Sequence, residues 1–183
     1  PSPRPEDEGI SLILNLIKEI PSKFNNIGAE LGKEMSLRMP LTDFFLLQST
    51  LSRKIIDASS ILWELRLIKS NAEIEKIKHI CKIASNSFGN LPSLIKEGDT
   101  ERDIAKKMKI DLISRGAENI PYLPVVSGEG GVSQIICEPT NRVLKSGDIL
   151  FVDTGSTYDG YFCDFDRNYS IGKASKTVND VYE

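Results

Sequence analysis

From Ile74 the chain places apolar residues at three- and four-residue steps, through Ile77, Cys81, Ala84 and Phe88. That period predicts a helix with one buried face. Ser70 and Glu73 supply a capping-box start, and Gly89 and Pro92 are expected to end it. Thr100 caps a second helix with Ile104, Met108 and Leu112 inward, closed by Gly116. The pattern then changes. "IPYLPVVSG", "SQIIC", "ILFVD" and "YFCDFDRNYSI" are short apolar or alternating runs and read as strands. Upstream, Ile10 to Ile20 reads as a helix and Phe24 to Leu31 as a short strand. Pro40 and Thr42 open a helix carrying Phe44, Phe45, Leu47 and Leu51. "KIIDAS" is a brief strand, and residues 57–60 can cap a helix holding Trp63. The Pro-rich, acidic residues 1–9 read as loose. No internal repeat or low-complexity tract interrupts this order.

The chemistry concentrates at Asp153 and Asp164, in two strand-like runs joined by "STYDG". A four-residue loop over 157–160 pairs Ser156 with Tyr161 and sets Asp153 opposite Asp164. A tighter turn on Asp159-Gly160 moves Asp164 opposite Gly155 and leaves the aspartates diagonal. Opposed side chains on one face lie roughly 4.5–5.5 Å apart at Cβ, where like charges repel unless a cation joins them. A divalent metal removes that repulsion. The alternative is that Asp153 ends a strand and Asp164 is solvated; spacing alone leaves the two readings even.

Resemblance shifts that balance. Gly147-Asp148, an apolar strand, Asp153, Gly155, Asp164 eleven residues after Asp153, and Arg167 resemble the metal-binding hairpin of the pita-bread metallohydrolases. These include Xaa-Pro aminopeptidases, prolidases, methionine aminopeptidases and creatinase. "PTNRVLKSGD" resembles the lead-in to that hairpin, and "LRLIKSNAEIEKI" the start of the catalytic domain. The implied fold is α+β: the end of a smaller α/β amino-terminal domain over residues 1–64, then the first half of a pita-bread catalytic domain over 65–183. On this expectation the chain is a fragment, lacking the start of the first domain and the second half of the catalytic one.

The resemblance implies a metal-dependent hydrolase of the Xaa-Pro aminopeptidase/prolidase group acting through a metal-activated water. It implies two divalent ions (Mn, Co, Fe or Zn), with Asp153 binding one and Asp164 bridging both. One His and two Glu would come from the second half, so residues 1–183 alone are expected to be inactive. Arg167 is a candidate to steady a carboxylate behind the metal ligands. The expected substrate is a peptide or small molecule, and the complete protein is expected to form a homodimer.

This sequence also departs from the pattern. Where the peptidases carry a substrate-contacting His, three residues before Pro139, it has Ile136. Asp166 stands where Thr is usual, and Asn168 replaces a Ser or Thr. These departures favour, as an alternative, a lyase or amidohydrolase on a small non-peptide metabolite; a metal-free relative without catalysis is a third reading.

Bulk properties narrow the field. The chain has 183 residues, 40% of them hydrophobic, and a net charge of −3. That charge gives no case for nucleic acid or an anionic membrane, and the Lys-rich helix faces are interleaved with Glu and Asp. No apolar run approaches the roughly 20 residues that span a bilayer, and the start lacks a signal-peptide pattern. Cys81, Cys137 and Cys163 lack metal-ligand spacing and suit a reducing cytoplasm. His79, the sole histidine, reads as a boundary residue of the long helix. Residues 127–131, "SGEGG", read as a turn, with an anion-binding loop as the lesser alternative. The resemblance implies that this loop lies near the substrate entrance, which makes Tyr122 and Glu129 candidates to line a pocket.

Overall fold

A computed structural model describes residues 7–21, 23–32 and 34–183. Residues 1–6 of the stretch expected to be loose lie outside the described residues. The chain divides into two units between Ile68 and Lys69. In the first unit, α1 (Ile10–Glu19), β1 (Asn26–Ala29), α2 (Leu41–Thr50), β2 (Lys54–Asp57) and α3 (Ser59–Leu67) follow in order. β1 and β2 pair in parallel, and Ile10, Leu47 and Ile55 form the core. Asp57 accepts from both the amide and the hydroxyl of Ser59, at 3.0 and 2.6 Å, and so holds the start of α3.

The second unit opens on α4 (Asn71–Leu94), with the Ser70–Glu73 capping box in place. The helix does not stop at Gly89 or Pro92. A proline lacks the N–H that residue 88's carbonyl would otherwise accept. Here the Tyr169 hydroxyl donates to that carbonyl at 2.8 Å, so the helix continues to Leu94. The buried stripe is also rotated from the expected one. Ile80, Ile83, Ala84, Ser87, Phe88 and Leu91 are buried, whereas Ile74 is exposed. α5 (Glu101–Ser114) starts with a Thr100–Asp103 capping box and buries Ile104, Met108 and Leu112, as the spacing predicts. Gly116, at φ 109°, turns the chain out of it.

Four strands follow: β3 (Asn119–Tyr122), β4 (Val125–Glu129), β5 (Asp148–Tyr158) and β6 (Tyr161–Ser170). β5 is central. β6 pairs along one side of it, and β3 and β4 share the other, all antiparallel. Leu150, Val152 and Cys163 point to one face and join the α4 and α5 residues in a single core. A short helix, α6 (Lys176–Tyr182), ends the chain. "SQIIC" is not a strand. It forms bends, with Ile136 86% exposed, because no packed surface takes its apolar side chains.

Candidate metal centre

The hairpin turn is the tighter of the two weighed. Tyr158 pairs with Tyr161, leaving only Asp159 and Gly160 in the loop. Their φ values of 47° and 79° belong to a primed turn, whose twist matches the strands and which Asp-Gly favours. The tip docks on α4. Lys76 Nζ lies 2.7 Å from Asp159 Oδ2, the Tyr161 hydroxyl donates to Glu73 at 2.9 Å, and His79 packs its ring on Tyr158. The expected pairing of Asp153 with Asp164 is therefore wrong: Asp153 faces Asp166, and Asp164 faces Gly155. The error is a slip of two residues, and only odd slips exchange the faces of a strand. Asp153 and Asp164 consequently still share a face, diagonally disposed.

On that face Asp153 Oδ1 is buried and has no hydrogen-bond partner among the described residues. The Asp164 carboxyl is near enough for its charge to act on Asp153. Burial first, and then the negative charges of Asp164 and Asp166, make Asp153 less acidic than an ordinary aspartate. A buried acceptor without a donor is costly. A hard divalent cation beside Asp153 and Asp164 would satisfy it, so this donor set fits such an ion. Among the described residues no group of three or more His, Cys, Asp or Glu side chains is arranged to hold a metal. Asp153 and Asp164 are thus a two-carboxylate set, and further ligands would have to come from elsewhere.

Tyr122, expected only to line a pocket, belongs to this face. Its hydroxyl donates to Asp164 Oδ1 at 2.5 Å. Burial and that bond push its phenol well above the usual range. Gly155 makes the contact possible. Tyr122, Gly155 and Asp164 lie in a row across three strands, and the tyrosine ring stacks with Phe162 over the glycine. A Cβ at Gly155 would meet Tyr122 at 2.2 Å and Phe162 at 2.4 Å. The signal for this bond in the sequence was the Gly two residues after Asp153, which resemblance marked without explaining.

Arg167 is a correction. Strand alternation puts it on the face opposite Asp164, where its guanidinium sits 5.6 Å from the Phe165 ring centre and 5.8 Å from that of Phe88. Its NH1 donates to the Asp166 main-chain carbonyl, and among the described residues no ion pair joins it to a carboxylate.

The lead-in motif is a clasp that sequence reasoning missed. Arg142 grips the buried Asp148 through two bonds, at 2.6 and 2.8 Å, and also donates to the Ser127 hydroxyl. Glu101, only 3% exposed in the first turn of α5, accepts from the amide and hydroxyl of Ser127 and of Thr140. Ser127 therefore already faces an anion of its own chain. Of the 127–131 stretch, residues 127–129 are the end of β4 and only Gly130 and Gly131 leave it, so the turn is shorter than expected. Glu129 is exposed. A cavity of about 590 Å³ lies further along the ligand face, lined by Gly131, Ile149, Asn168, Ser170 and α6 residues, and by none of the three aspartates.

Residues 75–183, more than half of the chain, match the model of Metallopeptidase family M24. The probable dipeptidase PepE of Mycobacterium tuberculosis strain H37Rv is 28% identical over 160 residues, which cover 85% of this chain and 41% of that protein. The Xaa-Pro dipeptidase of Pyrococcus furiosus is 26% identical over 155 residues, covering 84% of this chain and 44% of that one. The solved X-Pro aminopeptidase of Thermotoga maritima superposes with a TM-score of 0.81 at 27% identity, over 96% of this chain and 48% of its own. The chain spans less than half the length of these relatives, and its mixed helix and strand fold matches that of pita-bread catalytic-domain neighbours.

Proposed function

Because the chain belongs to metallopeptidase family M24, we propose that the full-length protein is a metal-dependent hydrolase of the Xaa-Pro aminopeptidase/prolidase group. The observation that carries this reading is the buried, partnerless Asp153 Oδ1 with Asp164 alongside it. Asp153 and Asp164 would hold the divalent metal, two ions in the complete site, with Mn, Co, Fe and Zn all compatible with carboxylate ligands. Bound there, the metal supplies Lewis-acid polarisation of a scissile carbonyl and a water acidic enough to attack near neutral pH. The chain's own residues set the geometry. β5 and β6 fix the two carboxylates on one face, and Tyr122 holds the Asp164 carboxylate in place through its hydroxyl. Arg142, Asp148 and Glu101 fix the loop leading into β5.

The residues before position 65 are proposed as the end of the amino-terminal domain of such an enzyme, and the complete protein as a cytoplasmic homodimer. Among the described residues no helix is long and apolar enough to cross a membrane. A second reading, a lyase or amidohydrolase on a small metabolite, is favoured by one feature. Ile136, where the peptidases carry His, is 86% exposed in an irregular loop.

The test uses the full-length protein. Asp164→Asn should abolish uptake of divalent metal and hydrolysis of Xaa-Pro dipeptides together, and residues 1–183 alone should show no turnover. Undiminished metal content in Asp164→Asn would end the metalloenzyme reading. Turnover of small amides or sulfonium compounds, with none of Xaa-Pro dipeptides, would replace the first reading by the second.

A further inference from the structure

The same register that separates Asp153 from Asp164 brings a third carboxylate to the face. Asp166 is the direct cross-strand partner of Asp153. The Asp153 amide donates to the Pro124 carbonyl at 3.0 Å, away from β6. The 153–166 pair is therefore of the non-hydrogen-bonded kind, in which opposed side chains lie closest. Asp166 is exposed, and none of the described ion pairs or side-chain hydrogen bonds involves its carboxylate. The adjacent cation, Arg167, is turned to the opposite face over Phe88 and Phe165. The metal-free fold gains nothing from this charge, because like charges directly opposed across two strands destabilise a sheet. Such a group is accounted for by a cation that arrives from outside the fold.

We propose that Asp166 is a third negative charge serving the metal centre from outside the Asp153–Asp164 ligand pair, tightening divalent-cation binding while destabilising the metal-free fold. This rests on the metal reading of Asp153 and Asp164. It assigns Asp166 no place in the coordination set, in keeping with the absence of a three-residue group arranged for a metal among the described residues. The role is electrostatic: a unit charge beside a dication acts across several ångströms in a partly desolvated setting. The carboxylate at 166 thereby adds charge at a place where the family pattern has an uncharged Thr.

The experiment is a Mn²⁺ titration by calorimetry of the metal-stripped full-length protein, with thermal unfolding in the presence and absence of Mn²⁺. Asp166→Asn should weaken Mn²⁺ binding about tenfold, in the range seen for groups just behind metal ligands. The same variant should raise the melting temperature of the metal-free protein by about 1–3 °C, from the relief of one opposed like-charge pair. Asp166→Glu, which keeps the charge, should bind Mn²⁺ within about threefold of the parent protein. Unchanged affinity in Asp166→Asn overturns the proposal. So does a fall in metal-free stability alongside the loss of affinity, since that marks a packing role. Asp164→Asn separates the two readings. Full Mn²⁺ affinity in that variant sinks the metal centre itself, whereas lost affinity there with none lost in Asp166→Asn sinks only the role of Asp166.

Discussion

The two faces of the β5–β6 hairpin are built from alternate residues of the same strands, yet they obey opposite rules. On the core face, Leu150, Val152 and Cys163 are buried against α4 and α5, and Asp148 at the start of β5 is paired with Arg142. Its carboxyl is held below the ordinary value, chiefly by the Arg142 hydrogen bond. On the other face Asp153 is pushed in the reverse direction, by burial and then by its acidic neighbours, and one of its oxygens has no partner. One face satisfies its charge internally. The other keeps charge unsatisfied. Alternation lets a single pair of strands carry apolar packing on one side and candidate chemistry on the other.

The sharpest way to break this division is from the core side. Leu150→Ala removes a fully buried side chain and should cost about 3 kcal/mol in chemical denaturation. Mn²⁺ affinity of the folded variant should be unchanged. A parallel loss of affinity would mean that the faces are coupled.

Gly155→Ala attacks the ligand face. The new methyl would overlap Tyr122 and Phe162, so it should destabilise by about 1–3 kcal/mol. It should also weaken Mn²⁺ binding about tenfold by displacing the Tyr122–Asp164 bond. Loss of stability with no loss of affinity would free Tyr122 of its assigned task.

Acid sharpens the comparison with the smallest effect. Asp148 is more acidic folded than unfolded. Glu101 is too: burial raises it, but hydrogen bonds from Thr140 and Ser127 prevail. For groups depressed in this way the stability contribution is complete above the unfolded value, about 4, and is lost as pH falls through the folded one. Asp148→Asn should therefore be less stable than the parent at pH 6 and lose less between pH 6 and pH 3, measured by urea denaturation. Equal losses in the two proteins would show that the clasp contributes no pH dependence.

Much of this was legible in the sequence because local chemistry decided it. The capping box at Ser70, the cap at Thr100 and the inward set Ile104, Met108 and Leu112 stand where spacing placed them. The shared face of Asp153 and Asp164 survived a wrong turn assignment because face depends only on parity. What failed were features decided by distant partners. Pro92 did not end α4, because a hydroxyl 77 residues later in the sequence supplied what the helix lacked. Arg167 lies away from the carboxylates by alternation alone, and the ring of Phe88, on a distant helix, takes its guanidinium. Glu101 looked like an ordinary first-turn acid until Ser127 and Thr140 closed on it from two other segments.

The bond between Tyr169 and the Phe88 carbonyl has a further consequence. It joins residues 81 apart and can exist only after the last long strand has settled on the helix. In the assembled protein burial pushes that phenol up to about 12, against an ordinary value near 10. Its ionisation thus behaves as a built-in indicator of late assembly, silent in the isolated segments and displaced once the two ends of the unit have met.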